Sequence, residues 1–365
     1  RTHRRETAER LAAAYAGALR QLIQHGREGE AVFTAPDYHP TVAALALRLA
    51  EESSTPWSPL VPLQPLGERR PLFCVHPLGG DPLCYYRLAR ELGSDRPFYG
   101  LQARPVDGRA AAPRTTIEEM AAEYLEVVRS VQPAGPYLLA GWSFGGLVAF
   151  EMAQQLTRAG EEVALLALLD QEVSPGDEAA EVDTAAIVAD ILLYLTRSQG
   201  RTLELDVDAL RSLPLDDQLA RGLEILGSTE ALGAQLDVSL LRGLAMGWSS
   251  RATAYERYKV SPYPGRITLL RASSVDLVTL REVPAQRRQI LVSPTLGWET
   301  VAAGGLEVHA VPGSHQTLIE APHVETVAEI LGACIARAEG EPGRTAFAVG
   351  PTARPVEGSN IPVLG

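Results

Sequence analysis

Val163-Ala164-Leu165-Leu166-Ala167-Leu168-Leu169 carries no polar side chain at any position. A strand on a half-exposed sheet would alternate apolar and polar residues. An unbroken run this short instead demands a strand covered on both faces, as in a parallel sheet between helices. Shorter runs repeat the signal at Leu72–His76, Pro97–Leu101 and Tyr137–Trp142, and later strands are expected at Arg266–Arg271 and Leu306–Val311. Helical patterns lie between them, over 83–93, 115–132, 145–159 and 322–338. Thr115 or Thr116 is placed to cap the second, and Gly160 to end the third. Strands alternating with helices predict an α/β chain with a mostly parallel central sheet flanked by helices.

One connection departs from this rhythm. About 95 residues separate the strand at 163–169 from that at 266–271, where such loops usually run about 2–6. Helical patterns at 183–199, 216–226 and 236–258 fill it, so a helical lid inserted over 172–262 is expected. Upstream, residues 4–26 and 40–52 read as helices, and 53–70, with Pro56, Pro59, Pro62 and Pro65, as an extended linker. The expected division is therefore 1–65 as N-terminal helices and linker, 66–338 as the main domain, and 339–365 as a Gly/Pro-rich tail without a core of its own. The chain opens on Arg1 and is expected to be a piece of a longer one.

Charge and composition narrow the function. A net charge of −12 over 365 residues argues against a nucleic-acid partner, which needs a basic face. No apolar run approaches the ~18 residues of a membrane span. The three cysteines, Cys74, Cys84 and Cys334, lack metal-ligand spacing and suit a reduced, cytoplasmic setting. No metal is expected.

Gly141-Trp142-Ser143-Phe144-Gly145-Gly146 lies where the strand 137–142 turns into the helix 145–159. A serine on so sharp a turn presents its hydroxyl, and the flanking glycines keep strand and helix from colliding. The helix N-terminus beside it favours a developing oxyanion. Ser143 is thus the candidate nucleophile. Ser249, in Gly247-Trp248-Ser249-Ser250-Arg251, lacks the second glycine and falls in a helical stretch. A serine hydroxyl needs a base, and His315, in the loop Val311–Thr317 between the last strand and last helix, is the candidate. His309, within its strand, is expected to pack against a helix, His323 to begin a helix, and His76 to serve its loop; His3, His25 and His39 precede the domain. The base needs a carboxylate to set its tautomer. Asp170, ending the unbroken strand at the sheet edge where ligands bind, is preferred, and Asp276 is the alternative. Two backbone N–H donors must meet the oxyanion. Phe144, following the nucleophile, supplies one, and Leu78, in His76-Pro77-Leu78-Gly79-Gly80, the other, because Pro77 has no N–H.

These motifs in this order resemble the α/β-hydrolase-fold thioesterase domains that end nonribosomal peptide and polyketide synthetases. The resemblance rests on His76–Gly80, Gly141–Gly146, Leu168-Leu169-Asp170, Gly313–Leu318 and Pro322-His323-Val324, and covers about 66–338. The Trp-Ser-Phe-Gly-Gly form is more typical of peptide synthetases. It implies a peptidyl or polyketidyl chain delivered as a thioester on the phosphopantetheine of a carrier domain, taken up by Ser143, and released by hydrolysis or macrocyclisation. No cofactor bound by this chain is implied. Residues 4–38 resemble the end of a condensation or epimerisation domain, and His39–Ala46 the last helix of a carrier domain. Because no carrier attachment motif is present, the acyl donor is expected from elsewhere. A stand-alone editing thioesterase, a general carboxylesterase and a non-catalytic binding module are the rival functions.

Overall fold

The computed structural model describes residues 57–106, 116–177, 182–197, 203, 205–227, 238–275 and 285–340. The helices expected over 4–26 and 40–52, Thr115, Asp276 and the tail beyond Gly340 lie outside the described residues.

Seven strands form one sheet: β1 (Leu60–Gln64), β2 (Leu72–Val75), β3 (Phe98–Leu101), β4 (Tyr137–Trp142), β5 (Val163–Leu169), β6 (Ile267–Ala272) and β7 (Leu306–Val311). Their order is β1-β3-β2-β4-β5-β6-β7. β1 runs antiparallel to β3, and the other pairs are parallel. The helices framing the sheet are α1 (Tyr86–Glu91), α2 (Ile117–Val131) and α3 (Phe144–Arg158). Successive side chains of a strand point to opposite faces, and both faces are buried here. Phe73, Val75 and Leu139 join the cluster of Tyr124 from α2 and Leu147 from α3. Leu72, Cys74, Leu138 and Ala140 join that of Leu88 from α1 and Leu331 from the last helix. Each fully buried leucine stabilises by roughly 1.5–3 kcal/mol. Thr116 caps α2 in a reciprocal box with Glu119: Glu119 N donates to Thr116 Oγ1 (3.2 Å) and Thr116 N to Glu119 Oε2 (3.0 Å).

The proline-rich stretch corrects the sequence analysis. Residues 60–64 are not linker but the edge strand β1, with Leu60 opposite Leu101 and Pro62 opposite Tyr99. An edge strand can leave one N–H side unpaired, so it accommodates the proline that hid it.

Between β5 and β6 the inserted segment forms α4 (Thr184–Arg197), α5 (Val207–Arg211), α6 (Leu215–Gly227) and α7 (Val238–Arg257). α5 was not expected; Asp206 caps it by accepting from Ala209 N. After β6 come α8 (Ala285–Val292) and, after β7, α9 (His323–Ala338). The chain divides into two compact units. One comprises 59–187 with 242–365 and holds the sheet. In the other, 1–58 with 188–241, Leu192, Leu219 and Leu241 are buried. A side chain on Gly222 would meet Leu192 and Leu241 there. No helix among the described residues is long and apolar enough to cross a membrane.

Candidate active site

β4 ends at Trp142 and α3 begins at Phe144, leaving Ser143 alone in the turn at φ 55°, ψ −137°. That conformation costs an L-residue about 1–3 kcal/mol. The crowding around it explains the glycines. A Cβ on Gly141 would lie 2.2 Å from the Gly145 carbonyl carbon, and one on Gly145 would lie 2.2 Å from Val75 O. The α3 N-terminus therefore rests directly against the end of β2.

His315 lies in the loop after β7. Gly313 turns that loop at φ 96°, and Ser314 N donates to Thr317 Oγ1 (2.9 Å). Trp142 Nε1 donates to the His315 carbonyl (3.1 Å), and its ring lies 5.5 Å from the imidazole. So held, His315 Nε2 is 3.0 Å from Ser143 Oγ and Nδ1 is 3.0 Å from Asp170 Oδ2. Asp170 also has a left-handed backbone, φ 50°. Its Oδ1 accepts from Arg271 Nη1 and from Ala272 N, each at 2.8 Å. Burial pushes this carboxyl up. The hydrogen bond and charge of His315, the Arg271 guanidinium and the Ala272 N–H outweigh it and hold the group below its usual range. Because Oδ2 can only accept, His315 Nδ1 carries the proton and Nε2 presents a lone pair to Ser143. The residues expected as nucleophile, base and acid thus meet in a hydrogen-bonded line.

Of the two expected oxyanion donors, Phe144 directly follows Ser143 and Leu78 lies in the loop after β2. Phe144 opens α3, so its N–H has no acceptor within the helix. Leu78 follows a peptide whose carbonyl, on Pro77, accepts from His76 Nδ1 (2.6 Å) and Gly80 N (2.9 Å). Since that carbonyl only accepts, Nδ1 of His76 is protonated, and Nε2 receives the Tyr124 hydroxyl at 2.7 Å. Burial, and then the nearby Arg251 charge, lower the His76 pKa to about 3. Its imidazole stacks on Phe144, with ring centroids 5.8 Å apart.

The depressed His76 pKa has a definite sign in stability. The unfolded state binds a proton that the folded state refuses, so stability is full above about 6.5 and falls as pH drops toward about 3. Unfolding free energy by urea titration should fall by about 2 kcal/mol between pH 6.5 and 5, at about 1.4 kcal/mol per pH unit. The same slope in His76→Asn protein would refute the assignment.

Sequence reasoning missed Arg271, Tyr124 and Arg251. Arg271 is one polar residue at the end of an apolar strand, and nothing in its neighbourhood marks it as a partner of Asp170. Tyr124 follows the helical period of α2 like any core residue. Of the other histidines, His309 forms with Glu307 and Cys334 a group of metal-type donors. Arg337 Nη2 already lies 2.6 Å from Glu307 Oε1 and 3.2 Å from Cys334 Sγ, so a cation occupies that corner. Ser249 lies inside α7, away from any strand-to-helix turn.

A family model described as "Thioesterase domain" matches residues 70–335. The chain is 40% identical over 240 residues to a dimodular nonribosomal peptide synthase of Bacillus subtilis (strain 168), covering 65% of this chain and 10% of that protein. It is 28% identical over 356 residues to an atromentin synthetase of Paxillus involutus, covering 88% of this chain and 36% of the synthetase. It thus spans only a minor part of these curated relatives. Among solved structures it resembles a four-domain nonribosomal peptide synthetase bound to AMP and glycine, with a TM-score of 0.66, 26% identity, and coverage of 83% of this chain and 22% of that one. It also resembles the NocB thioesterase domain in covalent complex with a fluorophosphonate nocardicin G analogue, with a TM-score of 0.50, 27% identity, and coverage of 75% and 96%. With its mostly parallel sheet and flanking helices, the chain has the α/β-hydrolase fold and belongs to the thioesterase-domain family.

Proposed function

We propose that this domain is a chain-terminating thioesterase of a nonribosomal peptide synthetase, working through a Ser143–His315–Asp170 triad. The observation that carries the reading is the pair of 3.0 Å contacts joining Ser143 Oγ, His315 and Asp170 Oδ2. A peptidyl chain arrives as a thioester on the phosphopantetheine of a carrier domain. His315 Nε2 takes the Ser143 proton as Oγ attacks the thioester carbonyl. The N–H groups of Phe144 and Leu78 receive the oxyanion. Collapse breaks the C–S bond, and the imidazolium returns its proton to the departing thiolate. The acyl-Ser143 ester is then attacked by water, or by an amine or hydroxyl of the same chain, with His315 again as base. Hydrolysis gives the free acid, and internal attack gives a lactam or lactone.

Relatives that are themselves synthetases support the assembly-line role over stand-alone editing. The test offers one peptidyl chain both as a thioester and as the matching oxygen ester. Turnover of the thioester should be faster, and product mass reports the release mode, since a cyclised product is one water lighter than the acid. Strong preference for the oxygen ester would replace this reading with a carboxylesterase.

A further inference from the structure

Arg251 is a buried cation on α7, and no carboxylate among the described residues pairs with it. Burial, slightly opposed by Tyr124, lowers its pKa to about 10. A desolvated charge without a counterion is costly, so its contacts are informative. Nε donates to the Leu78 carbonyl at 2.6 Å and Nη2 to the Gly79 carbonyl at 3.1 Å. The preceding carbonyl, Pro77, is held by His76 Nδ1 and Gly80 N. Three successive carbonyls of this loop are therefore each tied to a donor. In a trans peptide the N–H points opposite its carbonyl, so fixing these oxygens also fixes the N–H groups behind them. Gly80 N–H closes the turn onto Pro77, while Leu78 and Gly79 N–H have no acceptor among the described residues.

We infer that Arg251 is a positioning residue: it clamps the Gly79 carbonyl, whose peptide carries the Gly80 N–H that closes onto the Pro77 carbonyl, and the Pro77 peptide in turn carries the Leu78 N–H, so the clamp holds that N–H ready for the oxyanion. The inference rests on the proposed function, because it assigns a role within that oxyanion hole. Arg251 belongs to the segment inserted between β5 and β6, so the hole is complete only while this part of α7 is seated on the loop. Space around the clamp is tight. A Cβ on Gly80 would lie 3.1 Å from Arg251 Cζ, and one on Gly247 would lie 3.3 Å from its Nη1. A side chain at either glycine would therefore crowd the guanidinium.

The test compares the parent with Arg251→Met and Arg251→Lys, using a peptidyl N-acetylcysteamine thioester. A clamp acts on the transition state, so kcat should fall about 10–100-fold in Arg251→Met while KM changes less than about threefold. Binding of a peptidyl trifluoromethyl ketone, whose adduct carries the oxyanion, should weaken by the same factor as kcat/KM. Binding of the unreactive thioether analogue should not change. Lysine can reach one carbonyl but cannot span two, so Arg251→Lys should fall between parent and methionine. It carries the test alone if the methionine variant fails to fold. Unchanged kcat in folded variants, or equal weakening of ketone and thioether, overturns the role of Arg251. Turnover left undiminished by Ser143→Ala overturns the nucleophile assignment, and the clamp with it.

Discussion

Replacing Ser143 by alanine is expected to lower thioester turnover by roughly 10⁴–10⁶-fold and to abolish covalent labelling by a fluorophosphonate. The expected size follows from the way the line of groups acts as a unit. Without Oγ, the lone pair of His315 Nε2 has no proton to take, and the remaining N–H donors can only polarise a bound thioester for attack by water. His315→Ala should cost a comparable factor, since Ser143 then keeps its proton. Combining the two changes should add little. The chain should stay folded in both, because neither side chain belongs to the two apolar clusters. Ser143→Ala also leaves a small residue at the same strained turn. Labelling is followed by intact-protein mass, and a phosphonate adduct on the Ser143→Ala chain would place the nucleophile elsewhere.

The second large effect is expected from Asp170→Asn, about 10⁴-fold in kcat at neutral pH. Its direction follows from which oxygen does what. Oδ1 accepts from both Arg271 and Ala272 N, so the asparagine carbonyl must stay there and its NH₂ must face His315 Nδ1. That forces Nδ1 to accept and moves the ring proton to Nε2, where it opposes the Ser143 hydroxyl. The nucleophile then faces a donor where it needs a base, although no atom has been displaced. A two-dimensional NMR spectrum of the imidazole nitrogens would report the tautomer directly. An Nδ1–H form in the variant, with activity retained, would refute this account of Asp170. The carboxyl's own depressed pKa has the same sign as that of His76 but acts at lower pH. It adds stability above its unfolded value and loses it as pH falls through the lower folded one, so the slope expected between pH 6.5 and 5 belongs to His76.

Much of this site is legible along the chain because its members are tied to places where backbone sterics leave few choices. Gly141 and Gly145 are required by approaches that would put a Cβ 2.2 Å from another backbone, and that requirement is written as a local pattern around Ser143. Asp170 is the polar residue that follows the apolar strand β5, and His315 lies in the turn-rich loop after β7, at the sheet edge where such strands end together. Thr116 with Glu119 is likewise a local signal. Where the signal is spread over distant residues, sequence reasoning fails. Pro56, Pro59, Pro62 and Pro65 give the stretch the pattern of a linker, and only pairing with Phe98–Leu101 makes 60–64 a strand. The roles of Arg271, Tyr124 and His76 depend on what lies across a strand or under a helix.

By itself, the order of apolar runs, glycines and turn residues determined a doubly covered parallel sheet, the position of a strained serine, and the residues able to serve it. Burial and backbone sterics act over a few neighbouring residues, so they leave a readable trace. Tertiary structure decided which carbonyls are clamped, which histidine is kept neutral, and that a guanidinium 173 positions beyond Leu78 in the chain reaches that residue's carbonyl. Hydrogen bonds and charge–charge interactions depend on distance in space, and no spacing along the chain encodes them.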